Sequence, residues 1–223
     1  MRLEKASYKA IAYSCMNFHY AKAIPVNPTG FSVFYDTNEF CGVIIFSIGA
    51  NPNLGLPYNL KQGQVIELTR VALNSKQIIT SKCLSLSLSL IKKQLPLVKL
   101  IVSFADQNQN HIGIIYQATN WYYTGIGKST PKYLVNGKWV HQRQFGSLGY
   151  SIKQNSIDKK IETKIGLDKY RYIYPLTKEL IPLCKSLSKP YPKKQPAELP
   201  HKGEGESFQI QGAFDSTIPL KVN

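Results

Sequence analysis

Residues 64–105 read as an apolar strand, an amphipathic helix and a second apolar strand. That order constrains the chain more than any other feature. Gln64–Leu73 (QVIELTRVAL) and Leu97–Ala105 (LVKLIVSFA) carry the Val- and Ile-rich texture of buried strands. Between them lies LSLSLSL, whose strict alternation taken alone would suit a strand. A second register runs through it: Leu84, Leu88, Ile91 and Leu95 recur at the spacing of one helical face. With Ser81 as N-cap and Pro96 as stop, the helical reading is chosen over Lys82–Gln94. A strand–helix–strand crossover places its two strands parallel in one sheet.

The flanking sequence adds elements to that layer. Residues 1–24 are helical in parts, with Tyr8, Ile11, Ala12 and Cys15 near a 3.6-residue period. Phe31–Tyr35 and Phe40–Ile48 form a hairpin about Asp36–Asn38. Residues 49–63 form a long Asn-, Pro- and Gly-containing loop outside the core. His111–Asn120 is a short helix and Trp121–Gly125 a strand. Beyond Lys128, Lys132–Val140 and Phe145–Ile152 read as short strands, with Asn136-Gly137 marking a hairpin turn. The expected class is α/β (α+β), a mixed central sheet flanked by helices. Residues 1–150 are expected to form the catalytic domain and 151–186 a basic C-terminal extension packed on it. Residues 187–223 are expected to be a Pro-, Lys- and Gly-rich tail, extended or disordered.

Charge gives the first functional pointer. Among 223 residues, 28 Lys and Arg face 13 Asp and Glu, a net charge of +15. From Leu68 to Ile157 the one acidic residue is Asp106, amid eleven basic ones. Such a field favours nucleic acid, anionic cofactors or membrane surfaces. Fourteen Tyr, mixed among the cations, favour nucleic acid, because aromatic rings stack on bases. No apolar run reaches the roughly 20 residues of a membrane span, and the N-terminus lacks a signal-type apolar core, so a cytoplasmic protein is expected. Cys15, Cys41, Cys83 and Cys184 show no zinc spacing and read as reduced, partly buried thiols.

Several constellations can carry chemistry. Asp106 ends a strand and His111 opens the next helix, so both can line one pocket with Tyr116 further along. Asp with His suits a mixed N/O metal site or a general base; the structural reading makes Asp106 an N-cap and His111 a satisfied helix-start residue. Arg70, on the opposite strand face from Glu67, can hold a phosphate or carbonyl in bidentate fashion; structurally it would pair with Asp106 across the sheet. The turn and helix start at residues 74–82 offer Lys76, Thr80, Ser81 and Lys82 to the pyrophosphate of an acyl-CoA, without the glycines of the usual acetyltransferase signature. His19-Tyr20 sits in a short apolar stretch that by itself suggests core. Among Trp121, Tyr122, Tyr123, Trp139 and His141, alternate members are core and the others can stack on a flipped base.

The His19-Tyr20 dipeptide ahead of Pro25, the GFSVF…GVIIF hairpin, ELTRVAL, the VSFAD strand end and HIGIIYQATNWYYTG together resemble the phage Mom-type DNA-modification proteins. These are similar to divergent members of the GNAT acyltransferase superfamily. The likeness spans about residues 15–145, more weakly through KYRYIYPL and KPYPK. It implies a GNAT-like fold and conversion of adenine in double-stranded DNA to N6-carbamoylmethyladenine, protecting phage DNA from host restriction in the cytoplasm of the infected bacterium. It also implies an acetyl-CoA-like donor and iron. Carried onto this chain, the family's functional residues fall on His19, Tyr20, Arg70, Asp106 and Tyr116. His19 and Asp106 are then the expected iron ligands, with His111 added on chemical grounds. Lys128, Lys132, Lys138, Arg143, Trp121 and Tyr123 are the expected DNA contacts. The oligomeric state stays open, a dimer included.

Two other readings compete. A plain N-acetyltransferase acting on a small amine or a protein accounts poorly for the charge. A non-catalytic DNA-binding protein would tolerate loss of Asp106 and His19.

Overall fold

The computed structural model describes residues 1–35, 38–49, 51–77 and 79–193, with the side chains of residues 141, 143 and 144 excepted. The expected tail from residue 194 onward, most of the turn at 36–38 and the side chain of Arg143 lie outside the described residues. Ten strands run as β1 Arg2–Lys5, β2 Thr29–Tyr35, β3 Glu39–Ser47, β4 Val65–Leu73, β5 Leu100–Asp106, β6 Tyr122–Gly127, β7 Pro131–Val135, β8 Lys138–His141, β9 Thr163–Ile165 and β10 Lys169–Pro175. The helices are α1 Tyr8–Phe18, α2 Thr80–Gln94, α3 Ile114–Gln117, α4 Gln142–Ser147, α5 Ile152–Asp158 and α6 Ile181–Leu187. A seven-stranded sheet has the order β1-β2-β3-β4-β5-β10-β6, and β8-β7-β9 form a second sheet. The result is the expected class, a mixed sheet flanked by helices. Among the described residues no helix is long and apolar enough to cross a membrane.

The crossover forms as its periodicity dictates. α2 buries Leu84, Leu88 and Ile91 in the main core, and β4 and β5 pair in parallel. Helix wins over alternation because the intervening Leu86 can face solvent, and is 40% exposed. The expected cap is displaced: α2 begins at Thr80, and no side chain caps it. α1 covers the other sheet face over Val43, Ile45 and Ala72, and α6 packs there through Cys184 against Leu100, Val102 and Ile173. All four cysteines are buried free thiols.

Several expectations are corrected. The loop at 49–63 reaches the core, because a single 3-10 turn at Leu56–Tyr58 folds Tyr58 onto Val65, Leu100 and Val102. Phe145–Ile152 forms no strand; it spans the end of α4 and the start of α5, which Ser151 caps by accepting from the Gln154 N–H. The hairpin at Asn136-Gly137 does form, both residues having positive φ (49° and 73°), as a tight two-residue turn requires. Residues 151–186 do more than pack on the domain: β10 lies inside the main sheet, antiparallel to β5 on one side and to β6 on the other.

Candidate active site

The parallel pairing of β4 and β5 runs from Val65↔Leu100 to Leu68↔Ser103 and stops there, though both strands continue. Beyond this fork the sheet opens, and the candidate residues collect around the opening. β5 ends at Asp106, which is 9% exposed. Its Oδ1 accepts from the Asn108 backbone N–H at 3.0 Å and the Asn108 amide at 2.9 Å. Its Oδ2 accepts from the Tyr20 hydroxyl at 3.3 Å and lies 3.6 Å from the Lys169 ammonium. Burial works to raise the Asp106 pKa, but the bonds from Asn108, the charge of Lys169 and the Tyr20 bond outweigh it and hold the carboxyl below the ordinary value.

His19 and Tyr20 arrive where α1 ends, His19 being extended at the C-cap. Their rings stack at 4.3 Å, and the edge of His111 meets Tyr20 at 6.1 Å. The His111 backbone N–H donates to the Asp106 carbonyl at 3.2 Å. His19 Nδ1 accepts from the Ala21 N–H at 3.1 Å, so the neutral ring carries its proton on Nε2. Burial, then the charges of Arg70, His111 and Lys22, push its pKa down to about 4. Tyr20, desolvated and beside Asp106, is pushed up to about 12. At neutral pH both are neutral donors.

Arg70 joins this group through a bulge. Opposite it, Ile45↔Arg70 is followed by Phe46↔Leu68, so Thr69 is an extra residue on β4. An extra residue reverses the alternation, and Arg70 turns to the face that Glu67 occupies. That corrects the expectation of opposite faces. Burial raises the Glu67 pKa, while Arg70 and Lys169 counter it. Arg70 Nη1 donates to the Thr69 carbonyl at 2.6 Å, and its Nε is buried with no hydrogen-bond partner among the described residues. The structural alternative of an Arg70–Asp106 ion pair is not realised; the cation beside Asp106 is Lys169.

Tyr116 lines one small cavity together with His111, Ala105 and Gly113. It is buried against Trp121 and Tyr172, and its hydroxyl lies 2.8 Å from Ser103 Oγ. Ser103 gives its one hydroxyl proton to the Leu68 carbonyl at 2.8 Å, so Tyr116 is the donor to Ser103. Burial pushes its pKa up to about 12. Tyr116 therefore stands at the fork. His111 does not open a helix either: Gly113, at φ 82°, is the N-cap of α3, and His111 lies in the preceding loop. Trp121 is fully buried and Tyr123 8% exposed, both in the main core, which corrects the expectation that they stack on a base. Lys128, Lys132 and Lys138 are exposed.

An acyl-CoA fits what the fork presents: a parted strand pair, an orphan Arg70 donor, and a helix α2 whose first turn lacks a side-chain cap. Ser81 and Lys82 lie in that turn. Thr80 Oγ1 accepts from the Gln77 amide at 3.0 Å, and Lys76 is drawn into an ion pair with Glu39. The expected iron ligands do not fit. Among the described residues no three His, Cys, Asp or Glu are grouped to hold a metal. His19 presents Nε2–H where a ligand needs a lone pair, and both Asp106 oxygens are engaged. Ser103, Asn108 and Lys169 were missing from the sequence reading, and Glu67 entered it only as lying on the strand face opposite Arg70. Asn108 follows from the local turn after Asp106, whereas Ser103, Lys169 and the true face of Glu67 are set by cross-sheet register and the bulge at Thr69.

Fold and site together define a mixed α/β protein that gathers tyrosine, histidine, arginine and carboxylate side chains where two parallel strands part. The chain belongs to the Mom protein family, whose model matches residues 1–193. It is 28% identical over 170 residues to methylcarbamoylase Mom of Escherichia phage Mu, covering 72% of this chain and 69% of that protein. Among solved structures it is similar to a chimera of spermidine N-acetyltransferase SpeG from Vibrio cholerae and hSSAT, with 9% identity, a TM-score of 0.46, and coverage of 81% of this chain and 99% of that one. It is also similar to a Bacillus subtilis acetyltransferase in complex with CoA, with 12% identity, a TM-score of 0.44, and coverage of 79% and 99%.

Proposed function

We propose that the protein is a DNA-modifying transferase that converts adenine in double-stranded DNA to N6-carbamoylmethyladenine, so that phage DNA resists host restriction. Membership of a family that includes a phage Mu methylcarbamoylase supports the reading. The observation that carries it is the Tyr20–Asp106 hydrogen bond, which joins two residues of the family's motif 86 positions apart beside the fork.

The chemistry asks for such a group. The N6 lone pair is delocalised into the purine ring, so the amine must lose a proton as its new C–N bond forms. Asp106, ionised at neutral pH, is the acceptor for that proton. Tyr20 and Lys169 fix the carboxylate, while the neutral His19 Nε2–H and the free Arg70 Nε–H offer donors to oxygen atoms on the incoming group. A bound acyl-CoA would supply the two-carbon unit: its methyl carbon would give up a proton and two electrons to an external oxidant as the C–N bond forms. An ammonia-level nitrogen donor would displace the CoA thiol to make the amide, while Asp106 handles the N6 proton alone. Arg70 and the first turn of α2, with Thr80, Ser81 and Lys82, are the groups to hold the acyl-CoA. Lys128, Lys132, Lys138 and Arg143 are the proposed contacts to the DNA. An adenine in a duplex reaches a recessed carboxylate by flipping, at a cost of a few kcal/mol.

The test is nucleoside mass spectrometry of plasmid DNA from cells expressing the chain, beside an Asp106→Ala control. A deoxyadenosine bearing the carbamoylmethyl mass, absent in the control, is the expected result. Unmodified DNA from cells holding folded, soluble protein would sink the reading.

A further inference from the structure

The stretch between β6 and β10, residues 128–168, is an excursion from a hairpin. β6 and β10 pair directly, with Gly127 opposite Lys169, so the main sheet is continuous without it. The excursion closes on a core of its own: Tyr133, Val135, Val140 and Phe145, with Ile152 and Ile161 packed against them. Tyr133 and Val135 turn into that core, so by strand alternation Lys132 lies on the outer face of the small sheet. There it stands directly opposite Lys164 on β9. The Lys164 ammonium sits 3.9 Å over the Trp139 ring, which shares that face as the partner of Leu134.

Two lysines opposed across a strand pair repel each other, and such pairs destabilise a sheet. Both are exposed, and among the described residues neither has an ion-pair partner. The nearby acid, Glu162, instead lines the cavity with Tyr133 and Asn155. Lys128, Lys138, Lys153 and Lys159 are exposed on the same unit. The excursion returns to the main sheet at Lys169, whose ammonium is 3.6 Å from the Asp106 carboxylate. A strained cation pair on a unit joined beside the candidate site is what an extended polyanion would relieve.

We propose that the outer face of this three-stranded sheet, centred on Lys132 and Lys164, docks the sugar–phosphate backbone of the duplex whose adenine is modified. The proposal rests on the DNA-modifying reading. Phosphate oxygens accept from both ammoniums and release counterions as they do so.

The experiment is fluorescence anisotropy of the full chain with a labelled duplex at 50–200 mM salt. It compares the wild type, the Lys132→Gln/Lys164→Gln variant and a Lys92→Gln/Lys93→Gln variant at the far end of α2. Each phosphate contact contributes a slope of about 0.9 in log Kd against log salt. The first variant is expected to lose a slope of about two and to bind at least about tenfold more weakly at physiological salt, while its Tm holds or rises as the repulsion is removed. The α2 variant is expected to keep the wild-type slope. An unchanged slope in the first variant, with plasmid DNA still modified by the wild type, overturns the docking face and leaves the DNA-modifying reading standing. Equal loss in both variants overturns it too, since diffuse charge would then suffice. A wild type that neither binds duplex nor modifies DNA overturns the underlying reading and the docking face with it.

Discussion

The Tyr20 hydroxyl and the Asp106 carboxylate meet at 3.3 Å across 86 positions of sequence, one from the end of α1 and one from the end of β5. The bond holds Oδ2 in place, as Asn108 holds Oδ1, and so fixes how the carboxylate is turned beside the fork. Tyr20→Phe removes it and leaves Lys169 and Asn108 in place. The DNA-modifying activity is expected to fall about 10²-fold, the scale on which misplacing a proton acceptor acts, with stability lowered by only about 1 kcal/mol. Nucleoside mass spectrometry beside thermal unfolding checks both; full activity in Tyr20→Phe would remove Tyr20 from the site.

His19 is expected to stay neutral throughout the working range. Burial and the neighbouring cations hold its pKa at about 4 in the fold, against 6.5 for the free side chain. Because the unfolded chain takes up this proton first, the His19 contribution to stability falls as pH drops from 6.5 towards 4. Histidine NMR should show one ring titrating near 4, its Nε2 protonated above that. A midpoint near 6.5 would refute the assignment of a neutral donor.

Asp106 acts in the same direction, at lower pH. Its pKa is depressed in the fold, so its stabilisation is complete above the ordinary value of 3.8 and is lost as pH falls through the lowered one. Asp106→Asn should flatten that part of the acid-denaturation curve and abolish DNA modification while the chain still folds. An unchanged acid limb would mean that Asn108 and Lys169 do not hold the carboxylate in solution.

What could be read from the chain follows from the range of each interaction. The β4–α2–β5 crossover is local, and its apolar spacing settles it against the alternation of LSLSLSL. Asp106 stood out because it is the only acid between Leu68 and Ile157. Glu67 and Arg70 were assigned opposite faces because strand parity was assumed, and one extra residue at Thr69 reverses it. Lys169 was invisible because β10 enters the sheet from far along the chain, and no local pattern says that it lies beside β5. Trp121 and Tyr123 read as equally fit for core or for base stacking; only the packing of Tyr116 and Tyr172 around them decides for core.

Ser103 and Tyr116 test the fork itself. Ser103 donates to the Leu68 carbonyl at the last β4–β5 pair and accepts from the buried Tyr116 hydroxyl. The two substitutions are therefore unequal. Tyr116→Phe removes one donor and leaves Ser103 bonded to Leu68, at a cost of about 1 kcal/mol. Ser103→Ala strands both the Leu68 carbonyl and the Tyr116 hydroxyl in the core, at about 1–3 kcal/mol for each buried group left unmade. In the double variant the hydroxyl is gone and the carbonyl alone is orphaned, so it should be no less stable than Ser103→Ala alone. Denaturant unfolding of the three variants gives the cycle. Additive losses would mean that the Tyr116 hydroxyl is not bonded to Ser103, and that it is free to act elsewhere at the fork.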